Sequence, residues 1–252
     1  MTTYDSPADT FRIATWNVQC LTKPERVARQ LRRMQLFAAD IWVLTETLVD
    51  RSPGLGFKGV FCPPGKKPKQ HRKVGIWSHW PIRLLDSPPG VWRGSAAATV
   101  DTPFGEIVVY GSVIAYHGDR QHLDGRPAKN WEVHASEIER QSSEWSALLT
   151  EGRPLVVAGD FNQARGSGSG RGYGTNAVRA QLTEALDAAN LSSLTDLDLL
   201  ERGDISDRPH VDHICVSDGF RQVGDVLAGD RLDASGSELS DHVTIAADLA
   251  LD

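Results

Sequence analysis

The sequence predicts an α/β fold in one domain, on three observations. Short apolar runs rich in Val, Ile and aromatic residues alternate with stretches of helical periodicity, from near residue 11 to near residue 249. No linker, internal repeat or heptad pattern interrupts them. The 252 residues fall within the length, about 250, that an α/β fold takes as a single unit. Residues 1–10 (MTTYDSPADT) read as a flexible polar leader and residues 11–250 as the domain.

Each element has its own signal. FRIATWNV (11–18) follows the leader as a strand of β-branched and aromatic residues. Residues 23–40 place Val27, Leu31, Met34 and Phe37 at three-to-four-residue steps, a helix face, and Pro24 suits its first turn. IWVLTE (41–46) is a short apolar run ending in an acid, and KVGIWSHW (73–80) and AAATVD (96–101) read as strands. EIVVYGSVIAY (106–116) is a longer strand in which Gly111 marks a bulge. Residues 128–151 form a long helix with Trp131, Ile138, Trp145, Leu148 and Leu149 on its apolar side. RPLVVAGDFN (153–162) reads as a buried strand. Residues 175–190 form another helix, with Thr175 as its N-cap. Residues 211–217, 223–229 and 242–249 supply the last strands.

Composition narrows the class. With 40% hydrophobic and 24% charged residues the chain is an ordinary globular protein. A net charge of −6 argues against a protein that lives on the duplex backbone, though not against a nuclease whose site must gather acids. Cys20, Cys62 and Cys215 form no C-x-x-C pair and suggest reduced thiols in a cytoplasmic setting. No apolar run approaches the ~18 residues of a membrane span, so no membrane partner is expected, and the chain is expected to be a monomer.

Polar residues recur where apolar runs stop. In GDFNQ (159–163), strand alternation puts Asp160 and Asn162 on one side and turns Phe161 into the core; a plain turn is the alternative. A carboxylate beside a carboxamide suits a metal-bound phosphate. Asn17 follows FRIATW, Glu46 follows IWVLT, Asp212 interrupts HVDHICV, and Asp241 and His242 precede the last strand. Each alone could be a strand terminator, a cap or a turn.

Together, TWNV (15–18), LTET (44–47), KVGIWSHWPI (73–82), GDFN (159–162), VDHI (211–214) and SDH (240–242) resemble the endonuclease/exonuclease/phosphatase superfamily over almost the whole chain. The resemblance implies a four-layer sandwich of two packed mixed β-sheets flanked by helices. It also implies metal-dependent cleavage of phosphate esters. Glu46 would be the principal ligand of Mg²⁺ (or Mn²⁺), with Asn17 and Asp241 completing the site. Asp212 would orient His242, which either positions the attacking water or stabilises the phosphorane oxygens. Asp160 would hold and deprotonate that water, and Asn162 would donate to a phosphate oxygen. The match is loose at GSVIAYHGDR (111–120), where Tyr116 and His117 are both candidates for a further phosphate contact.

Rim loops bear on the substrate. The basic stretch GKKPKQHRK (65–73) reads either as a solvated loop or as a guide for an anion. The glycine-rich RGSGSGRGYG (165–174) offers Arg165, Arg171 and Tyr173, while Trp80 and Trp92 are candidates for stacking on bases or for core packing. The leading reading is a nuclease acting on DNA or RNA. The alternative is a phosphatase or phosphodiesterase for a small or lipid phosphate such as an inositol phosphate. A binding module on a dead site is a third class, disfavoured because every core position is chemically intact.

Overall fold

The computed structural model describes residues 9–65, 70–86, 94–119, 121–123, 125–166 and 172–252. Most of the leader, the middle of the basic stretch, Trp92 and Arg171 lie outside the described residues. In chain order the elements are β1 (Phe11–Asn17), α1 (Pro24–Phe37), β2 (Ile41–Leu48), β3 (Lys58–Phe61), β4 (His71–Ser78), β5 (Ile82–Leu84), β6 (Ser95–Thr102), β7 (Gly105–Val113), β8 (His122–Leu123) and β9 (Arg126–Pro127). There follow α2 (Glu132–Leu149), β10 (Leu155–Asp160), α3 (Asn176–Ala188), β11 (Leu191–Ser193), β12 (Asp212–Ser217), β13 (Phe220–Gly229) and β14 (Thr244–Leu251).

Two six-stranded sheets form, ordered β13-β14-β1-β2-β4-β3 and β11-β12-β10-β7-β6-β5. Each is mixed: β1 runs parallel to β2, and β7 parallel to β10, while the other pairs are antiparallel. Alternation along the strands explains the layering. Phe11 and Ile13 of β1 join the core between the sheets, whereas Ala14 and Trp16 pack beneath α1. Likewise Ile107 and Val109 of β7 face the other sheet, and Val108 and Tyr110 face α2 and α3. Both faces of the central strands are therefore covered, which is why they read as near-continuous apolar runs. The result is α1, sheet, sheet, then α2 and α3: a four-layer sandwich.

Two expectations are corrected. Gly111 is not a bulge, because its register is continuous with Ala158 on one side and Ala96 on the other. It is instead a point of close approach between the sheets. A Cβ at Gly111 would lie 2.3 Å from Val74 Cγ1. The long helix begins at Glu132, later than residue 128, because Trp131 takes a left-handed φ of 70°. β3, β5, β8, β9 and β11 carried no strand signal of their own, each being two to four residues long. By contrast α1 starts at Pro24 as its sequence indicates, and the Thr175 hydroxyl accepts from Val178 N to cap α3.

Candidate active site

Strand ends from both sheets meet at one edge. β10 ends at Asp160, which is registered directly opposite Asp212, the first residue of β12. β1 ends at Asn17, whose Nδ2 donates to Asp160 Oδ2 at 3.1 Å and so bridges the two sheets. The turn that leads into β14 is fastened to β1: the Ser240 hydroxyl donates to Asn17 O at 2.6 Å and accepts from His242 N at 3.2 Å. Trp16 Nε1 also donates to His242 O at 3.1 Å. These contacts bring His242 Nδ1 to 2.7 Å from Asp212 Oδ2. One ligand atom each of Asp160, Asp212 and His242 lies within 4.8 Å of the others.

Burial sets the charges. Asp160 is 3% exposed and Asp212 fully buried, so two carboxylates face each other across a strand pair with little water. Desolvation pushes Asp160 up to about 7, and Asp212 adds to this, while His242, Asn17 and the Asn162 N–H oppose it. For His242 burial disfavours the cation, but the surrounding Asp212, Asp160 and Asp241 prevail and raise it to about 10. His242 is therefore an imidazolium at neutral pH, donating through Nδ1 to Asp212.

The GDFNQ stretch is a turn, which corrects the alternation argument. Asn162 has φ 50°, left-handed, so residues 160–162 are not extended. Its N–H donates to Asp160 Oδ1 at 2.9 Å, and its Nδ2 donates to Ile114 O at 2.9 Å. Phe161 is fully buried all the same. The segment before β14 is likewise bent, so Asp241 does not point away from its neighbour: its Oδ1 lies 3.9 Å from His242 Nε2. Glu46 also has a left-handed φ, 47°, unusual inside a strand. Its carboxylate meets Lys73 Nζ at 3.4 Å, whereas Asn17 reaches Asp160 and Asp241 reaches His242.

An open cleft of about 540 Å³ borders this edge, lined by Asn162, Asp212, Asp241 and His242 together with Tyr173, Arg208, His210 and Arg231. Tyr116 and His117 do not line it. Tyr116 is 52% exposed, while His117 Nδ1 bonds the Tyr173 hydroxyl at 2.6 Å and so reaches the cleft through Tyr173. Arg165 is unavailable to substrate, since Nε and Nη2 grip Asp196 at 2.6 and 2.8 Å. Trp80 packs edge-to-face on Phe11 at 6.1 Å, against the inter-sheet core and not as a base platform. Ser240, Arg208 and Arg231 went unrecognised in the sequence. A "SDH" triplet could have flagged the serine, but nothing local marks the two arginines.

The donor set can be tested against a divalent cation. His242 belongs to the tight trio, but its Nδ1 is engaged by Asp212, so the carboxylate oxygens are the hard donors on offer. Asp212 Oδ1 is buried without a hydrogen-bond partner among the described residues. Such oxygens fit a hard cation of the Mg²⁺ or Mn²⁺ type.

The model of the Endonuclease/Exonuclease/phosphatase family matches residues 14–242. No curated protein sequence matches. The human Nocturnin catalytic domain, solved with a bound sulfate anion, superposes with a TM-score of 0.68 at 18% identity, covering 97% of this chain and 94% of that one. An AP endonuclease from Archaeoglobus fulgidus gives a TM-score of 0.68 at 18% identity, over 96% and 99% of the two chains. A 3′ phosphatase from Neisseria, NExo, bound to product DNA hairpin, gives 0.64 at 19% identity over 96% and 99%. At these identities the likeness is one of fold.

Proposed function

The chain belongs to the endonuclease/exonuclease/phosphatase family, a family of phosphate-ester hydrolases, and on that footing we propose a divalent-metal-dependent phosphodiesterase of nuclease type. The observation that carries the proposal is the trio of Asp160, Asp212 and His242 gathered within 4.8 Å beside a cleft. Asp160, its pKa raised to about 7, takes the proton of the attacking water. The imidazolium of His242 stabilises charge that develops on the phosphorane oxygens, with Asp212 holding its ring in place. Asn162 gives one Nδ2 hydrogen to Ile114 O and keeps the second for a non-bridging oxygen. Glu46, Asn17 and Asp241 would hold Mg²⁺ or Mn²⁺ with the unpartnered Oδ1 of Asp212, and the ion when bound would offset the charge of the phosphoryl group. The left-handed backbone at Glu46 and Asn162 accords with two side chains held for function.

Nucleic acid is the favoured substrate, because the cleft wall carries Arg208 and an aromatic, Tyr173. The size of the cleft, about 540 Å³, also suits a small phosphate ester, which keeps an inositol phosphate as the second reading. All three thiols are free, which supports a reducing compartment such as the cytoplasm. Among the described residues no helix is long and apolar enough to cross a membrane.

The test offers the purified protein, with Mg²⁺ or Mn²⁺, plasmid, single-stranded DNA, RNA, abasic duplex, bis-p-nitrophenyl phosphate and inositol phosphates. Metal-dependent cleavage of a nucleic acid is expected, abolished in Glu46→Ala and His242→Ala. Turnover of inositol phosphates alone overturns the nuclease reading, and no turnover of any substrate overturns the hydrolase.

A further inference from the structure

Arg208 and Arg231 line the same cleft but are differently engaged. Arg231 is committed: its guanidinium grips the carboxylate of Asp207, with Nε 3.1 Å from Oδ1. Arg208 is exposed, and among the described residues its guanidinium forms no close ion pair, although the neighbouring Asp207 carboxylate accepts its backbone N–H and feels its charge. Among the described residues the guanidinium makes one hydrogen bond, from Nη2 to the carbonyl of Asp241, at 2.6 Å. A guanidinium carries five N–H donors, so most of its capacity faces the cleft unspent.

The backbone beneath Arg208 is held on both sides. Asp207 is tied to Arg231, and buried His210 bonds Thr195 O through Nε2 at 3.0 Å. Between them Pro209 restricts its own φ and the conformation of Arg208. A fixed stem under a free, planar fork is a preorganised anion receptor. It is exposed at the rim, whereas Asp212, which lines the same cleft, is fully buried at its floor. A phosphate that reacts on the floor leaves the rim to whatever group comes next along the substrate.

We propose that Arg208 is a specificity-determining residue that binds a second, non-reacting phosphate of the substrate. This rests on the phosphate-ester reading of the cleft. The second phosphate comes either from the neighbouring internucleotide link of a nucleic-acid strand or from a further phosphate on a small ester.

The test compares wild type with Arg208→Ala and Arg208→Lys, each checked for native circular dichroism. The substrates are trithymidylate and its analogue in which the non-scissile link is a neutral methylphosphonate, alongside inositol bisphosphate and monophosphate. In wild type the lost charge is expected to cost about 10- to 100-fold in kcat/KM, mainly through KM. In Arg208→Ala the same change should cost no more than about twofold, with Arg208→Lys between, because an ammonium cannot bind in a fork. An equal penalty in wild type and Arg208→Ala overturns the proposal.

If wild type instead cleaves only inositol phosphates, the nuclease reading falls. The role of Arg208 then stands or falls on whether Arg208→Ala erases a preference for bisphosphate over monophosphate. If nothing is hydrolysed, the hydrolase reading fails and calorimetry with inorganic pyrophosphate and phosphate decides. Tighter pyrophosphate binding in wild type but not in Arg208→Ala supports the assignment, and equal binding in both removes it.

Discussion

His242 and His213 are both withdrawn from solvent, yet they carry opposite charge. His242 is ringed by carboxylates, and its pKa rises to about 10. His213 is fully buried, and desolvation, with help from neighbouring His210, lowers it to about 3. Its partners are neutral: Thr195 Oγ1 at 2.8 Å on Nδ1 and Gln163 O at 2.9 Å on Nε2. A carbonyl only accepts, so Nε2 carries the proton and the threonine hydroxyl donates to Nδ1. Adjacent residues of one strand divide these roles. Asp212 turns to the cleft and charges one imidazole, while His213 turns to the interior and stays neutral. Burial alone thus does not decide the charge of a histidine; the charge of what faces it does.

The hardest blow to this comparison falls on the charged member. Replacing His242 with Ala should lower kcat by about 10²- to 10⁴-fold at saturating metal, since a group acting on the developing charge is lost. Steady-state assays on the best substrate measure this. A loss below about tenfold would leave His242 a merely structural cation.

Next comes its partner. Asp212→Asn keeps the shape but removes the charge that does most to raise His242. Activity should drop about 10- to 100-fold, the usual cost of losing an orienting group. Nitrogen-15 spectra separate the two histidines directly. In wild type neither ring should titrate between pH 5 and 8, His242 appearing as imidazolium and His213 as neutral imidazole. In Asp212→Asn the His242 signal should begin to titrate and that of His213 should not change.

Stability carries the same sign. The folded pKa of His242, about 10, lies above its unfolded value of ~6.5, so the folded state binds the extra proton between them. That contribution is fully present below pH 6.5 and lost as pH rises through about 10. His213 is the reverse: its folded pKa is about 3, so its contribution is present above pH 6.5 and is lost as pH falls towards 3. Denaturant unfolding of wild type and His242→Ala should show a difference that shrinks between pH 7 and 10, by on the order of 3 kcal/mol. A difference independent of pH would mean that His242 is not charged in the folded protein.

The charged half of this contrast was legible in the sequence and the neutral half was not. VDHI and SDH bring Asp212 and His242 into view, the first because Asp212 interrupts an apolar run and the second because polar residues stand just before the last strand, and the family resemblance joins them. His213 gave no such signal: its partners are a carbonyl and a hydroxyl from distant segments, fixed only when β11 pairs with β12. The same reasoning covers the fold. Long strands with both faces covered announce themselves, as in β7 and β10, but β11 is three residues whose pairing is tertiary. Alternation failed at Asn162 because the strand ends at Asp160, and a positive φ follows from local hydrogen bonds that no periodicity encodes. Arg208 stayed hidden for a similar reason, since its place on the cleft wall is set by tertiary packing.

The gentlest test touches only the neutral side. Thr195 is fully buried, and its hydroxyl serves His213 Nδ1 and accepts from Ile214 N at 3.3 Å. Thr195→Val keeps the volume and leaves the ring nitrogen without a donor, which should cost about 1–3 kcal/mol of stability. Because His213 and Asp212 face opposite sides of β12, kcat per folded molecule should stay within about twofold of wild type. Should kcat fall with stability, the hydroxyl must be holding Asp212 in register as well as His213. The two faces of β12 would then act as one unit, and the division of labour between its adjacent residues would have to be redrawn.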